Sequence, residues 1–375
     1  MKLNFDNAVS YHSGKFPPQN LNYPLLINSV VKASEAIARY DQELSSLHNP
    51  ELFLAPLRNQ EAVLSSRMEG TISTIDEILE YDSTSDEDQA DSLTIRPDIL
   101  ETILYRRALN YAHSEMLEGR PLSSSLIRSM HQMLLFHGRG AAKSPGAFKE
   151  EQNFIGERAN REISYIPISP EKLTDGMDAL FDYIANSEHP TVLQTAFSHV
   201  EFEALHPFKD GNGRIGRMLI TLLLWSKGVI SSPHFYISRY MDEHKDEYIR
   251  TMRGVSAENN WEEWALFFLD AVSEQAKHNL KVTREIRNLY EEMKEVFSEV
   301  TGSRYAISML DAVFTHPIFR NQQIVRHSKI ASASVNRYTK ALLQSDLGLI
   351  RVVSEAAGRR SAVYAFEPLL KLIRV

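Results

Sequence analysis

Cysteine is missing altogether from the 375 residues. Its absence excludes a disulfide scaffold, a thiolate zinc site and a cysteine nucleophile, and it fits a reducing compartment. Long apolar runs are missing too. The longest, Met218 to Trp225, is interrupted by Thr221 and falls far short of the roughly 20 residues of a spanning helix. It reads as a buried helix, and no membrane partner is expected. Met1 to Ser10 is polar and lacks the apolar stretch of a signal peptide, so a cytoplasmic protein is expected. Positive charge is also scarce. With 41 Lys and Arg against 49 Asp and Glu, the net charge is −8, which argues against a nucleic-acid binder acting through its whole surface. No repeat at a solenoid period is apparent.

What is present suits a folded chain of two or three units: 43% hydrophobic and 24% charged residues. The charge is unevenly spread. Residues 303–375 hold 11 basic and 4 acidic side chains, a net +7, and the remainder carries −15. Such asymmetry marks a segment with its own partner.

Apolar periodicity predicts helices over about 25–46, 49–67, 97–117, 124–136, 170–186, 191–205, 214–225, 242–255 and 261–299. A further helix follows Gly70, capped by Thr71 or Ser73. An extended arm precedes them at 1–25. The acidic stretch Tyr81 to Thr94 reads as an exposed connector. Between Gly138 and Pro170, glycines, prolines and the alternation Ile163, Tyr165, Pro167 predict a β-hairpin flap. After Gly302, three short helices and two strand-like runs, 350–353 and 362–366, predict a winged helix-turn-helix. Ser332 to Leu343 would be its recognition helix, and Arg359 and Arg360 would sit at the wing tip.

The chemistry concentrates in His206 to Arg217, HPFKDGNGRIGR. Pro207 ends the preceding helix and biases His206 out of the helical region. Gly211, Asn212 and Gly213 permit unusual dihedrals, so that backbone N–H groups converge. A helix starting near Arg214 turns its N-terminus to the same loop and attracts anions. Arg214 and Arg217 are three apart and share a helix face. Asp210 is a lone carboxylate beside this cradle and suits Mg²⁺. His206 suits a base near neutral pH. Base, divalent cation and anion cradle together point to phosphoryl-group chemistry.

This stretch resembles the Fic family signature H-x-F-x-D/E-G-N-G-R-x-x-R at every fixed position: His206, Phe208, Asp210, Gly211, Asn212, Gly213, Arg214 and Arg217. The looser likeness runs over about residues 50–275. The resemblance implies an all-α fold with a flap and transfer of AMP from ATP, with Mg²⁺, onto a Ser, Thr or Tyr hydroxyl of a protein. His206 would be the base and Asp210 the metal ligand. Asn212, with the backbone of Gly211 and Gly213, would hold the α-phosphate. Arg214 and Arg217 would hold the β- and γ-phosphates, and Phe208 would pin the loop from within. The other histidines nearby, His131, His137 and His199, read as structural.

Ser65 to Gly70, SSRMEG, resembles the family's inhibitory motif placed ahead of the catalytic region. Ser65 and Glu69 lie four apart on one helix face. The resemblance implies that Glu69 pairs with Arg217 and keeps the γ-phosphate from seating. It further implies that residues 148–167 dock an unidentified protein target and that Ile155 and Tyr248 sandwich adenine. Trp261 and Trp264 read as core. The expected units are 1–95 with the inhibitory motif, 96–302 catalytic, and 303–375 winged helix. Four readings stay open. The same site would remove AMP if Glu69 orients a water. It would transfer another group, such as UMP or phosphocholine, since the signature reads phosphates and not the base. Self-modification or homodimerisation would add a second copy as partner. A nucleotide-sensing regulator would contact DNA, or protein, through 303–375.

Overall fold

A computed structural model describes residues 3–47, 49–84, 95–157, 162–357 and 360–374. The wing-tip residue Arg359 and residues 85–94 of the predicted acidic connector lie outside that set.

The first strand, β1 (Val9–Ser10), belongs to the arm. Asn22 then caps α1 (Tyr23–Ser45), accepting a bond from the Leu25 N–H at 3.3 Å. The inward stripe of α1, Leu26, Val30, Ala33, Ile37, Tyr40 and Leu44, is buried. It packs along the helix from Trp261. The next helix, α2 (Glu51–Met68), behaves differently. Asn59 to Ser66 is buried without a break, polar residues included, so α2 is a central helix and shows no amphipathic pattern. α3 (Ile75–Asp82) starts from a capping box. Its cap is Thr74, not Thr71 or Ser73, and Glu77 closes the box onto the Thr74 backbone at 2.9 Å.

α4 (Pro97–Leu117) and α5 (Ser124–Leu134) follow. The hairpin β2 (Ile155–Glu157) and β3 (Glu162–Ile166) forms where the alternation predicted it. β1 adds to β3 in parallel, so the sheet order is β1-β3-β2, and β2 is an edge strand with no second partner strand among the described residues. Then come α6 (Pro170–Asn186), α7 (Thr191–Leu205) and α8 (Asn212–Ser226). The stretch predicted as one helix from 242 is two, α9 (Ser238–Glu243) and α10 (Lys245–Glu258), broken at His244. α11 (Trp261–Thr301) is the longest helix.

After Gly302 the chain forms α12 (Ala306–Thr315), β4 (Ile318–Phe319), α13 (Asn321–Ser328), α14 (Ser332–Gln344), β5 (Ile350–Ser354), β6 (Val363–Phe366) and α15 (Glu367–Ile373). The three strands pair in the order β4-β6-β5. β4 and α15 were not foreseen. One apolar cluster runs from Leu52 on α2 through Phe208 and on to Ile373. It crosses residues 95 and 302, so the expected units share a core. No helix among the described residues is long and apolar enough to cross a membrane.

Candidate active site

α7 ends because His206 turns left-handed, φ 46° and ψ 61°, and Pro207 follows. A non-glycine residue in that region costs of order 1–3 kcal/mol and persists only where its surroundings over-determine it. Here they do. Asn153 Nδ2 donates to the carbonyls of His206 at 3.0 Å and Phe208 at 3.1 Å. Lys149 donates from its backbone to the Pro207 carbonyl at 2.8 Å and from Nζ to the Leu205 carbonyl at 3.0 Å. Asn212 closes the loop from the other side. Its Oδ1 accepts from the Phe208 N–H and its Nδ2 donates to the Phe208 carbonyl, both at 2.8 Å. The Phe208 ring, fully buried, stacks on His131 with centroids 3.7 Å apart.

α8 therefore begins at Asn212, two residues earlier than the sequence suggested. The Asn212 side chain is spent on holding the loop, which leaves backbone N–H groups at the helix start to face an anion.

His131 is the brace beneath this loop. Its Nδ1 accepts from the Gly146 N–H at 2.8 Å, so its Nε2 carries the proton and donates to the Asp210 carbonyl at 2.9 Å. Burial pushes its pKa down to about 4, and it stays neutral. The His206 ring is half-buried. Its Nδ1 lies 3.4 Å from the Glu203 carbonyl. A carbonyl only accepts, so Nδ1 is the protonated nitrogen and Nε2 keeps a free lone pair. Burial, with the Lys149 ammonium adding to it, pushes the His206 pKa down to about 4. At neutral pH this imidazole is an unprotonated base.

The anion cradle is occupied from within the chain. Arg217 is buried. Its Nη2 donates to Glu69 Oε1 at 2.9 Å and to the Ser65 carbonyl at 2.8 Å, and its Nε donates to Ser65 Oγ at 2.8 Å. Glu69 Oε1 lies so close to Gly213 that a Cβ there would collide with it. The carboxylate thus sits on the N-terminus of α8, where an anion is favoured. Burial pushes the Glu69 carboxyl up, but Arg217, then Arg214 and His206, outweigh it and hold the group below the usual carboxylate range.

Arg214 points elsewhere. It is buried at 3% exposure, with Glu101 at 3.8 Å and Asp210 at 3.6 Å. Its Nε and Nη1 have no hydrogen-bond partner among the described residues. Unpaired buried guanidinium donors are costly, and an oxyanion in the cradle would satisfy them. The Asp210 side chain is 39% exposed, and its Oδ1 accepts from the Gly211 N–H at 2.6 Å. Among the described residues no three His, Asp or Glu side chains converge on a common point. A cation here would have Asp210 as its protein ligand and take the rest of its shell from phosphate oxygens and water, which fits Mg²⁺.

Tyr248 is 5% exposed. Its hydroxyl meets His199 Nε2 at 2.8 Å, and its ring lies near Trp264 and Phe267. In this conformation it offers no open ring face to an adenine. Ile155 is half-buried on the edge strand of the hairpin. His199 bridges Tyr248 to the Gly216 carbonyl at 3.1 Å, a structural role.

Sequence reasoning did not find Lys149, Asn153, Glu101 or Glu203. Glu203 has a buried Oε1 without a hydrogen-bond partner among the described residues, lodged against Gly216. Burial pushes its carboxyl up to about 8; Arg217 opposes this and Glu69 adds to it.

A helical scaffold thus brings together a left-handed histidine, a glycine-opened helix N-terminus and two buried arginines, a setting that favours an anion. The chain matches the Fic/DOC family N-terminal region over residues 27–114 and the Fic/DOC family over 121–224. A Fido domain-containing protein of Dictyostelium discoideum is 32% identical over 120 residues, 31% of this chain and 74% of that protein. The chain belongs to the Fic/DOC family. Protein adenylyltransferase Fic of Nematostella vectensis is 28% identical over 142 residues, 36% of this chain. That alignment spans 30% of the Nematostella protein. The fold is shared with a Fic family protein of Desulfovibrio desulfuricans, with TM-score 0.58 and 17% identity over 93% of this chain and 98% of that one. Fic-1 from C. elegans superposes at TM-score 0.51 and 18% identity over 70% of this chain and 74% of that one.

Proposed function

We propose that this chain is a protein adenylyltransferase that moves AMP from ATP to a Ser, Thr or Tyr hydroxyl of a protein, held in check by Glu69. The observation that carries the reading is the Glu69 carboxylate on Gly213 and Arg217, an internal anion in a cradle suited to phosphate. Relatives bearing the adenylyltransferase name support it. The target oxygen forms a bond to the α-phosphorus, and the bond from the α-phosphorus to the bridging oxygen breaks. Pyrophosphate leaves, and the hydroxyl proton passes to His206 Nε2. Arg214, with two unpaired donors, meets the phosphates directly. Arg217 does so once Glu69 withdraws. Mg²⁺ held by Asp210 would neutralise phosphate charge as it shifts to the leaving group.

The edge strand β2 is the place for an extended target segment to add by backbone pairing, since β3 is already covered by β1. Residues 303–375, with the order helix-strand-helix-helix-strand-strand-helix, are a winged-helix module in this reading.

The test uses ATP labelled at the α- or the γ-phosphate, supplied to the chain in a native lysate. Label should enter protein from the α-position alone and vanish in His206→Ala. Transfer from the γ-position, or undiminished transfer by His206→Ala, would sink the reading. CTP, GTP and UTP in parallel read the base preference.

A further inference from the structure

The helix pair α13–α14 carries charge that nothing in the described chain neutralises. From Asp311 to Asp346 there is no acidic residue between. Arg326, Lys329, Arg337 and Lys340 are exposed, and none has an acidic partner among the described residues. Elsewhere most guanidinium groups are paired, as Arg67 is with Asp242 at 2.7 Å and Arg284 with Glu43 at 2.9 Å. Solvated cations are common on any surface. Their clustering on one helix pair, with no acidic residue between Asp311 and Asp346 in a chain that is otherwise acidic, is what calls for a polyanion.

The geometry narrows the choice. α13 and α14 are joined by three residues, with Lys329 left-handed at φ 57°. α14 turns Val335, Tyr338, Thr339 and Leu342 inward. The opposite face presents Ala333, Asn336, Arg337 and Lys340. That face is pre-ordered. Arg337 lies over the Tyr338 ring at 5.1 Å, and the Tyr338 hydroxyl meets Ser303 at 2.6 Å. Asn336 Oδ1 accepts from Asn321 at 2.7 Å, and Asn321 in turn accepts from Thr339 at 2.9 Å. The Asn336 amide is therefore turned so that its NH₂ is available. Protein interfaces centre on large apolar and aromatic anchors, which these four positions lack. Cations suit phosphates, an asparagine suits the edge of a base, and an alanine methyl suits the methyl group of thymine. Together they fit duplex DNA. Thirteen residues of helix extend about 20 Å, enough to lie in a major groove about 12 Å wide.

We propose that α13 and α14 form a duplex-DNA docking surface, with the Ala333, Asn336, Arg337 and Lys340 face of α14 in the major groove and Arg326 and Lys329 on the backbone. This goes beyond the catalytic reading and does not rest on it.

The test is fluorescence anisotropy of the full chain with a labelled 30-base-pair duplex of random sequence. Four cations predict a slope of log affinity on log salt of about −3.6, roughly a 150-fold loss between 50 and 200 mM salt. Arg337→Ala/Lys340→Ala should flatten the slope by about 2 while keeping the wild-type melting temperature and AMP labelling. Arg39→Ala on the distant α1 should change nothing. Selection from a randomised duplex pool should enrich a sequence in the wild type and lose it in Asn336→Ala. No binding at 50 mM salt would overturn the proposal. So would equal binding by the double variant, or heparin bound as tightly as the selected duplex. Salt-insensitive capture of a protein in place of DNA would overturn it too.

Discussion

Glu69→Gly tests the proposed inhibitory role of the Glu69–Arg217 contact most directly, because the structure isolates what is lost. Arg217 donates three hydrogen bonds, two of them to Ser65. Only the third ends on Glu69, so the substitution frees one face of the guanidinium without unseating it. A hydrogen bond between charged groups contributes about 1.5–3 kcal/mol. The lower half of that range applies, since 36% of the Glu69 side chain stays in solvent. At roughly 1.4 kcal/mol per factor of ten, the expected rise in initial labelling rate from α-labelled ATP is about 10- to 50-fold. If the carboxylate acts by mis-seating the phosphates, the rise falls in kcat more than in KM. Glu69→Gln keeps an oxygen on Gly213 but removes the charge, so it should fall between wild type and Glu69→Gly. Glu69 is the C-cap of α2 at φ −90°, a conformation open to any residue, so folding should be little affected. A Glu69→Gly rate within twofold of wild type, with His206→Ala still abolishing labelling, would refute the reasoning while leaving the chemistry intact.

Two further substitutions probe the site's supports. Glu203 keeps its proton to about pH 8 in the folded chain and loses it near 4.5 when unfolded. Its contribution to stability is whole below pH 4.5 and is lost as pH rises through 8. Glu203→Gln should therefore gain in melting temperature relative to wild type between about pH 5 and 9, and a constant difference would count against the assignment. His131→Ala strips the ring from Phe208 and leaves the Gly146 N–H and the Asp210 carbonyl without their partner. Each orphaned group costs about 1–3 kcal/mol. Melting several degrees lower, with labelling lost together with loop order, is the expected outcome, and an unchanged melting temperature would refute the bracing role.

The parts of this molecule legible in the sequence are those whose cause is local. α6 and α7 were read to the residue because Pro170 opens one, Pro190 precedes the other and Pro207 follows it. The start of α8 was misplaced because Asn212 resembles a turn residue, and its bonds to Phe208 are visible only in three dimensions. α15 was missed for a similar reason. Its seven residues hold together through Leu369, Leu370 and Ile373 buried on the core and through Gln60 donating to the Ile373 carbonyl at 2.8 Å. The motif announced the cradle, but its supports come from well outside it along the chain. Lys149, Asn153, His131 and Glu101 have no fixed spacing to His206, so only folding brings them to it.

The position of α2 decides how Glu69 can leave. A separate inhibitory domain could swing away as a body, but α2 is buried on all sides from Asn59 to Ser66. It is tied to the C-terminal helix by Gln60, and Arg374 pairs with Asp76 at 2.9 Å just beyond it. Moving α2 bodily would break the core shared by all three segments. The last turn is different. Glu69 caps it, Gly70 follows at φ 83°, and Ile72 is 75% exposed. Unwinding one turn there breaks the Glu69 bond to Arg217 and leaves Ser65, a turn earlier, still holding the guanidinium. On the proposed inhibitory role, release would be a local fraying at the end of a fixed helix, at the expense of the Arg67–Asp242 pair and the Lys245 bond to the Met68 carbonyl, and Arg217 would remain in place to receive phosphate.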